Sequence, residues 1–234
     1  LRNWVSFWRK STRNARRFSW LMLFMITGIV GAGGRLACAG DTPGKFDFYV
    51  LALSWSPDYC AAEQNNDATQ CAFGKKLGFV LHGLWPQYRK CFPQSCSSEA
   101  FPQSLKADFP ALYPNDGLYR HEWEKHGTCS GLTPEAYLAL TKRLKQAVAI
   151  PQAYRKPEQP IRASIEQIKA QFGAANSGLA AESLAVYCSG AGRFLKEVFI
   201  CFDLKGKPAA CSAELHHKAD RSCQQPTLLI RNVK

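Results

Sequence analysis

Histidine, which gives or takes a proton near neutral pH because its unperturbed pKa is about 6.5, occurs five times in this sequence. Three of the five lie in two short segments, residues 81–87 (LHGLWPQ) and residues 121–129 (HEWEKHGTC). The second segment also contains two glutamates and a lysine. These two segments are therefore the first candidates for a site of acid–base chemistry.

The second segment is predicted to be helical. If His121 is set at 0° on an ideal helix, Lys125 lies at about 40°, Glu122 at about 100° and His126 at about 140°. Two imidazoles, a carboxylate and an ammonium then share one arc of the helix. A solvated helix carries such charges too, with Glu122 and His126 as an i, i+4 pair, so both interpretations stay open.

A metal site is the main chemical alternative for this helix. The helix of a zinc protease needs His-Glu-x-x-His, whereas the spacing here is His-Glu-x-x-x-His, and no third ligand is placed nearby. An exported metallohydrolase is therefore disfavoured, and we expect neither a metal ion nor a cofactor.

The cleavage of RNA by its own 2′-hydroxyl uses this set of side chains. A neutral imidazole takes the 2′-hydroxyl proton, a protonated imidazole gives a proton to the departing 5′-oxygen, and cationic groups stabilise the phosphorane between them. None of these steps requires a metal ligand set.

Both segments resemble the active-site motifs of the ribonuclease T2 family, which are secreted ribonucleases of the acid type. Residues 82–86 (HGLWP) are similar to the first motif and residues 121–129 to the second, and the resemblance extends from about residue 45 to the C-terminus. It implies an endoribonuclease that cleaves single-stranded RNA through a 2′,3′-cyclic phosphate to a 3′-phosphate.

The resemblance also implies a role for each residue. His126 corresponds to the general base for the 2′-hydroxyl and His82 to the general acid for the 5′-oxygen. Lys125 would stabilise the pentacoordinate phosphate and His121 would hold it. Glu122 would orient the neighbouring imidazole or hydrogen-bond to the phosphate.

Two further residues are implied to bind substrate. Trp85 is similar to the family's aromatic platform for the base on the 5′ side of the cut, although filling of the core explains it equally well. Gln87 stands where some relatives carry an acid that favours adenine, so a strong adenine preference does not carry over.

The N-terminal residues have the features of an export signal. Six basic residues lie within 1–19 without an acid, an apolar run of about a dozen residues follows, and Ala37-Cys38-Ala39 fits a signal-peptidase site. The alternative, a membrane anchor, would need about 20 apolar residues. We therefore expect a signal peptide over 1–39 and a catalytic domain over 40–234, located in the periplasm or outside the cell.

Removal of 1–39 would lower the formal charge from +12 to +5, because that segment holds seven of the 30 basic residues and none of the 18 acidic ones (23 − 18 = 5). Such a charge suits an RNA partner without requiring one. Lys75, Lys76, Arg89 and Lys90 flank the first motif and are interpreted either as guides for the phosphate backbone or as ordinary solvated charges. We expect a monomer with no stable membrane association.

Nine cysteines follow residue 39, a density typical of a disulfide framework in an exported protein. A structural zinc site is the alternative, but no Cys-x2-Cys pair is present. By the family resemblance, the pairs are Cys96–Cys129, Cys60–Cys71, Cys188–Cys223 and Cys201–Cys211. Cys91 is then either free or bridged to a retained Cys38.

Periodicity predicts an α+β fold, a single domain with a central, mainly antiparallel sheet flanked by helices and stapled by disulfides. Strands are predicted over 45–55, 78–84, 183–188 and 193–203, the second one closed by Trp85-Pro86. Helices are predicted near 103–109, over 118–127, from Thr133 with Tyr137, Leu140, Leu144 and Val148 on one face, and near 163–172. His216 and His217 are expected in a strand or a solvated loop.

A non-catalytic RNA-binding or inhibitory protein on the same scaffold is the remaining alternative. A protein that only binds RNA needs neither an acid nor a base, so the intact set of His82, Glu122, Lys125 and His126 argues for an enzyme.

Overall fold

The computed structural model describes residues 42–62 and 67–234. The predicted signal peptide, residues 1–39, therefore lies outside the described residues. The helices are α1 (Ser56–Ala62), α2 (Ala68–Cys71), α3 (Asp116–Lys125), α4 (Pro134–Ala147), α5 (Ile165–Ala175) and α6 (Ala213–Ser222). The strands are β1 (Phe48–Trp55), β2 (Phe79–Gln87), β3 (Ile161–Ala163), β4 (Leu184–Ser189), β5 (Phe194–Phe202) and β6 (Leu228–Ile230).

The six strands form one sheet in the order β2-β1-β5-β6-β3, with β4 also paired to β5. Every pairing is antiparallel except the short contact between β5 and β6. Strand β1 lies between β2 and β5, and its side chains alternate between two buried clusters, as expected of a central strand covered on both faces. The predicted α+β single domain with a mainly antiparallel sheet is confirmed.

The two faces of the sheet carry clusters of different size. The larger cluster includes Leu51 and Trp55 of β1 together with side chains from α3, α4 and α5, such as Trp123 and Phe172. The smaller one lies on the opposite face, where Leu215 and Ala219 of α6 pack on Phe199 and its neighbours. Helix α6 thus covers part of that face, which is the face that also carries Trp85.

Helix α4 follows the predicted pattern at its beginning and differs along its buried face. Thr133 caps it by accepting a hydrogen bond from the amide of Ala136. The fully buried stripe includes Leu138 and Thr141 in addition to Tyr137 and Leu144, whereas Leu140 is only half-buried. The hydroxyl of Tyr137 donates to the carbonyl of Leu84 at 2.7 Å, which ties α4 to β2.

Two boundaries near the predicted site are corrected. Strand β2 does not end at Trp85-Pro86 but pairs with β1 as far as Gln87. This is possible because β2 is an edge strand, where a proline without an N–H is tolerated. Helix α3 begins earlier than predicted, at Asp116, because the Asn115 side chain accepts a hydrogen bond from the amide of Leu118.

The end of α3 is also corrected. The helix ends at Lys125, His126 is its C-cap with φ −120° and ψ −45°, and a 3₁₀ turn follows over Gly127–Cys129. His126 therefore leaves the ideal helical path on which the arc was calculated.

His216 and His217 were wrongly expected in a strand or loop, because both lie in α6. The helix was missed because few of its residues are apolar, and only Leu215 and Ala219 are buried along it. Ser212 caps it by accepting a hydrogen bond from the amide of Leu215. Among the residues that the structure describes, no helix has the length and apolarity needed to cross a membrane.

Four disulfides lie wholly within the described residues, and they are the four predicted pairs: Cys60–Cys71, Cys96–Cys129, Cys188–Cys223 and Cys201–Cys211. None of the described cysteines is free, so the interpretation of Cys91 as a free thiol was wrong. Cys38, its alternative partner, lies outside the described residues. The pair Cys96–Cys129 fixes the chain three residues beyond His126.

Removal of this staple by Cys96→Ala/Cys129→Ala is expected to lower the free energy of unfolding by roughly 3–4 kcal/mol, from the loop that it closes in the unfolded chain. The amide of His126, which donates to the carbonyl of Glu122 at 3.0 Å, should then exchange its hydrogen faster. The measurements are urea unfolding and amide hydrogen exchange. The matched variant Cys201→Ala/Cys211→Ala opens a shorter loop and should leave the exchange of the His126 amide unchanged; equal acceleration in both variants would contradict the prediction.

Candidate active site

A β-bulge in β2 directs His82 to the same face of the sheet as Trp85. Ala52 pairs with Gly83 and Leu53 with Leu81, so His82 is the extra residue between two regular pairs. Leu81 is fully buried in the larger cluster. Strand alternation places His82 on the face opposite to Leu81, and the bulge brings Trp85, three residues further on, to that same face. The side chain of His82 is about one-third exposed there.

Helix α3 supplies the second half of the site. Glu122 and Trp123 are buried, His121 is exposed and Lys125 is half-buried. The indole N–H of Trp123 donates to the carbonyl of Glu99 at 2.9 Å, which anchors the helix to the preceding loop. Because Trp123 is buried in the core, the residue before it, Glu122, faces β2.

Trp85 connects the two halves. Its indole N–H donates to Oε2 of Glu122 at 2.7 Å. Its ring meets the ring of His82 edge-on, with centroids 5.0 Å apart, and that of His126 at a tilt of 30°, with centroids 5.1 Å apart. The ring also packs edge-on against Phe199. Trp85 thus contacts both predicted catalytic imidazoles and the carboxylate; its role as a platform for a base stays a prediction.

Glu122 is fully buried, and its second oxygen is not hydrogen-bonded by any described residue. This Oε1 lies 4.0 Å from Nε2 of His82 and 4.0 Å from Nε2 of His121. Burial raises the pKa of Glu122 to about 7, although the charge of His82 and the Trp85 hydrogen bond act in the opposite direction. Near neutral pH the group is therefore able to exist with or without a proton on the oxygen that faces the two imidazoles.

The site contains a residue that the sequence analysis missed, Glu197 of β5. Its Oε1 lies 2.7 Å from Nδ1 of His82 and accepts a hydrogen bond from the Ser54 hydroxyl at 2.8 Å. Glu197 is buried, and a buried carboxylate needs a partner. The available signal was an acid directly before the apolar run from Val198 to Phe202, but the sequence does not identify a partner 115 positions away.

The two predicted catalytic imidazoles have opposite electrostatic surroundings. Burial lowers the pKa of His82, but the hydrogen bond and charge of Glu197, together with the charge of Glu122, outweigh it, so that the pKa lies above its usual value. Burial and nearby positive charges, first that of Lys125, lower the pKa of His126 to about 3. At weakly acidic pH, His82 is therefore protonated while His126 is neutral.

The remaining predicted residues lie around this centre. Burial and the charges of Lys125 and His82 lower the pKa of His121. Gln87 is buried at the end of β2, where its amide donates to the carbonyl of Pro86 at 3.1 Å. The roles predicted for these side chains stay predictions.

A small pocket of about 90 Å³ opens next to His82. Ser54, Tyr59, Gln70 and Asn115 contribute polar groups to its lining. This pocket was not predicted, since its walls come from separate segments: β1, α1, α2, β2, the loop before α3 and α3 itself. Among the described residues, no group of three or more histidine, cysteine or acidic side chains is arranged to hold a metal ion.

Comparison with known proteins places both motifs within one family match. The model of the ribonuclease T2 family matches residues 46–211. A ribonuclease of Aeromonas hydrophila is 41% identical over 205 residues, which cover 82% of this chain and 88% of the relative. Ribonuclease I of Escherichia coli K12 is 30% identical over 155 residues, which cover 48% of this chain and 58% of the relative.

Solved structures show the same fold. A mutant of ribonuclease MC1 in complex with 5′-UMP matches with a TM-score of 0.59 at 24% identity, over 70% of this chain and 91% of that chain.

Gly83 is expected to be indispensable to the site. A Cβ at this position would lie 1.8 Å from Oε2 of Glu122 and 2.3 Å from Nε1 of Trp85. Gly83→Ala should therefore displace the carboxylate of Glu122 from the indole of Trp85. The expected result is a loss of roughly 100-fold or more in kcat/KM on RNA, because misplaced catalytic groups have effects of this size. The fluorescence of the displaced indole should rise. The control is Gly117→Ala in α3, whose Cβ would meet only Asn115 Oδ1 at 3.4 Å, an ordinary contact. Equal activity of the two variants would show that the close approach at Gly83 is not needed.

Proposed function

The chain belongs to the ribonuclease T2 family and is an endoribonuclease, and we propose that it cleaves single-stranded RNA without a metal ion, by proton transfers at His82 and His126. The observation that carries this proposal is the pair of opposite pKa shifts on two imidazoles that contact the same indole ring. Surroundings that differ in this way make the neutral base and the protonated acid the dominant forms at one pH.

In the first step, neutral His126 takes the proton of the 2′-hydroxyl, and the 2′-oxygen attacks phosphorus. The bond between phosphorus and the 5′-oxygen breaks, and His82 gives its proton to the departing oxygen. The products are a 2′,3′-cyclic phosphate and a free 5′-hydroxyl. His126 is then protonated and His82 neutral.

The second step returns both protons. His82 takes a proton from water, the resulting hydroxide oxygen attacks the cyclic phosphate, and the bond from phosphorus to the 2′-oxygen breaks. His126 gives its proton to the 2′-oxygen, which leaves a 3′-phosphate and restores both imidazoles. Because the same two groups exchange roles, one site performs both reactions.

Three side chains of α3 are proposed to stabilise the phosphorane. Lys125 supplies a positive charge and His121 holds a phosphate oxygen. Glu122, whose pKa of about 7 keeps it largely protonated in weak acid, donates a hydrogen bond from Oε1. A neutral Glu122 avoids the repulsion that a carboxylate would exert on the phosphate.

Glu197 is proposed as a positioning residue. By accepting a hydrogen bond from Nδ1 of His82, it leaves Nε2 as the nitrogen that delivers the proton, and its negative charge keeps the ring protonated. Because His82 serves the departing 5′-oxygen, the nucleotide that carries this oxygen lies on the His82 side, where the pocket of about 90 Å³ offers a place for its base.

The setting in which the enzyme works is also proposed. Four disulfides within the described residues are typical of proteins that fold in an oxidising compartment. Together with the basic and apolar N-terminal residues, they support export to the periplasm or the medium. A monomer is proposed because cleavage needs no residue from a second subunit.

An RNA cleavage assay in excess EDTA tests the mechanism. The wild-type protein is expected to retain full activity on RNA, to leave DNA intact, and to release products that end in a 2′,3′-cyclic phosphate or a 3′-phosphate. His82→Phe and His126→Phe should each lose roughly 100- to 10,000-fold in kcat, the usual contribution of general acid–base catalysis.

The control for these two variants is His217→Phe, which replaces an exposed histidine of α6 and should leave kcat unchanged. Loss of activity with the chelator, or binding of RNA without any shortening, would contradict the proposal.

The pH profile tests the pKa assignments. kcat/KM should rise as His126 loses its proton near pH 3. It should fall as Glu122 loses its proton near pH 7 and as His82, whose pKa is raised above its usual value, loses its own, which gives an optimum in weak acid. Glu197→Gln removes the charge that raises the pKa of His82, so the alkaline limb should move to lower pH, and an NMR titration should show the lowered pKa of His82 directly. The control is Glu182→Gln, which replaces an exposed carboxylate and should change neither the alkaline limb nor the pKa of His82. An unshifted His82 titration in Glu197→Gln would refute the role of Glu197.

A further inference from the structure

A second, larger groove of about 490 Å³ shares part of its wall with the pocket beside His82. Its walls come from α1, α2, the loop that follows α2, and the residues around Leu229 and Arg231. Gln70 lines both the groove and the small pocket. The side chain of Gln70 is buried and donates to the hydroxyl of Ser56 at 3.0 Å, so the junction between the two is formed by fixed groups.

The groove is positively charged. Four of the described residues that line it are cationic and none is acidic: Lys75, Lys76, Arg231 and Lys234. Arg231 is paired with buried Asp58 at 3.1 Å, whereas Lys75 and Lys76 are exposed and form no ion pair with a described residue. These two lysines are therefore free to meet an anion from outside the chain.

An aromatic ring stands at the edge of the same groove. Phe73 is 99% exposed, the most exposed of the large apolar side chains in the described residues. A phenylalanine without contacts stabilises nothing in the fold, but its ring offers a face on which any base stacks. Cationic side chains beside an exposed aromatic ring are the combination by which proteins hold single-stranded nucleic acid regardless of sequence.

The position of the groove determines which part of an RNA chain reaches it. In the proposed reaction His82 protonates the 5′-oxygen of the leaving nucleotide, so the RNA on the 3′ side of the cut extends from His82. The pocket beside His82 comes first on this path and the groove second.

We propose that this groove binds the RNA segment on the 3′ side of the cut, beyond the leaving nucleotide, with Lys75 and Lys76 on its phosphates and Phe73 stacked on one of its bases. The proposal rests on the proposed function for its direction. It implies that long RNA chains are better substrates than dinucleotides and that the additional affinity comes from one side of the cut only.

The test uses 2′-O-methyl oligonucleotides with a single unmodified ribose, because cleavage then occurs only at that residue. Extension by three nucleotides on the 3′ side should raise kcat/KM of the wild-type protein roughly tenfold over the dinucleotide, the factor that one stacking or charged contact provides. On a substrate that is extended only on the 5′ side, the variant Lys75→Gln/Lys76→Gln should have the same kcat/KM as the wild type. On the 3′-extended substrate this variant, and separately Phe73→Ala, should lose most of the gain.

The matched control is Lys205→Gln/Lys207→Gln, which removes the same charge from the turn after β5, at the other end of the sheet. It should retain the gain from the 3′ extension. A gain that survives in Lys75→Gln/Lys76→Gln, or a loss that is equal for the dinucleotide and the extended substrate, would overturn the proposal.

A binding measurement separates this inference from the proposed function. A fully 2′-O-methylated oligonucleotide is not cleavable, so its affinity, measured by fluorescence anisotropy, does not depend on catalysis. Lys75→Gln/Lys76→Gln should bind it roughly tenfold more weakly, with a salt dependence reduced by about 1.4 in slope for two lost phosphate contacts. Unchanged affinity would refute the groove even if cleavage proceeds as proposed, whereas weakened affinity would support it even if the His82–His126 mechanism failed.

Discussion

The buried carboxylate of Glu122 is the constraint on which the site depends. It comes from a helix that is anchored in the core through Trp123, and it is held by the indole N–H of Trp85 from the sheet. The backbone of β2 at Gly83 lies so close to this hydrogen bond that only a glycine fits there. One hydrogen bond therefore sets the distance between α3 and β2, and with it the positions of the side chains that each element carries.

The two imidazoles proposed as acid and base differ in pKa because their surroundings differ. His82 lies beside Glu197 and close to Glu122, whereas His126 is buried and has positive charge nearby, first that of Lys125. Hydrogen-bonded carboxylates raise the pKa of an imidazole, whereas burial, assisted by nearby cations, lowers it. The fold thus gives two identical side chains opposite pKa shifts, through burial and through charged groups on α3 and β5.

Several features of the fold were predictable because they are local or periodic. The strand β1 follows from an apolar run, α4 from the cap at Thr133, and the α+β class from the order of the elements. The errors arose where tertiary contacts override local pattern. Strand β2 passes through Pro86 because it lies at the edge of the sheet, and α6 forms although few of its residues are apolar.

By itself, the sequence determined which residue types could perform the chemistry, because His82 and the segment 121–129 carry an acid–base set whose spacing is wrong for zinc. It also determined the family, since two motifs are specific in combination. Only the tertiary structure decided the bulge that directs His82, the partnership with Glu197 and the contrast between the two imidazoles. The physical reason is that a pKa depends on burial and on charges nearby in space, and the decisive charge lies 115 residues away along the chain.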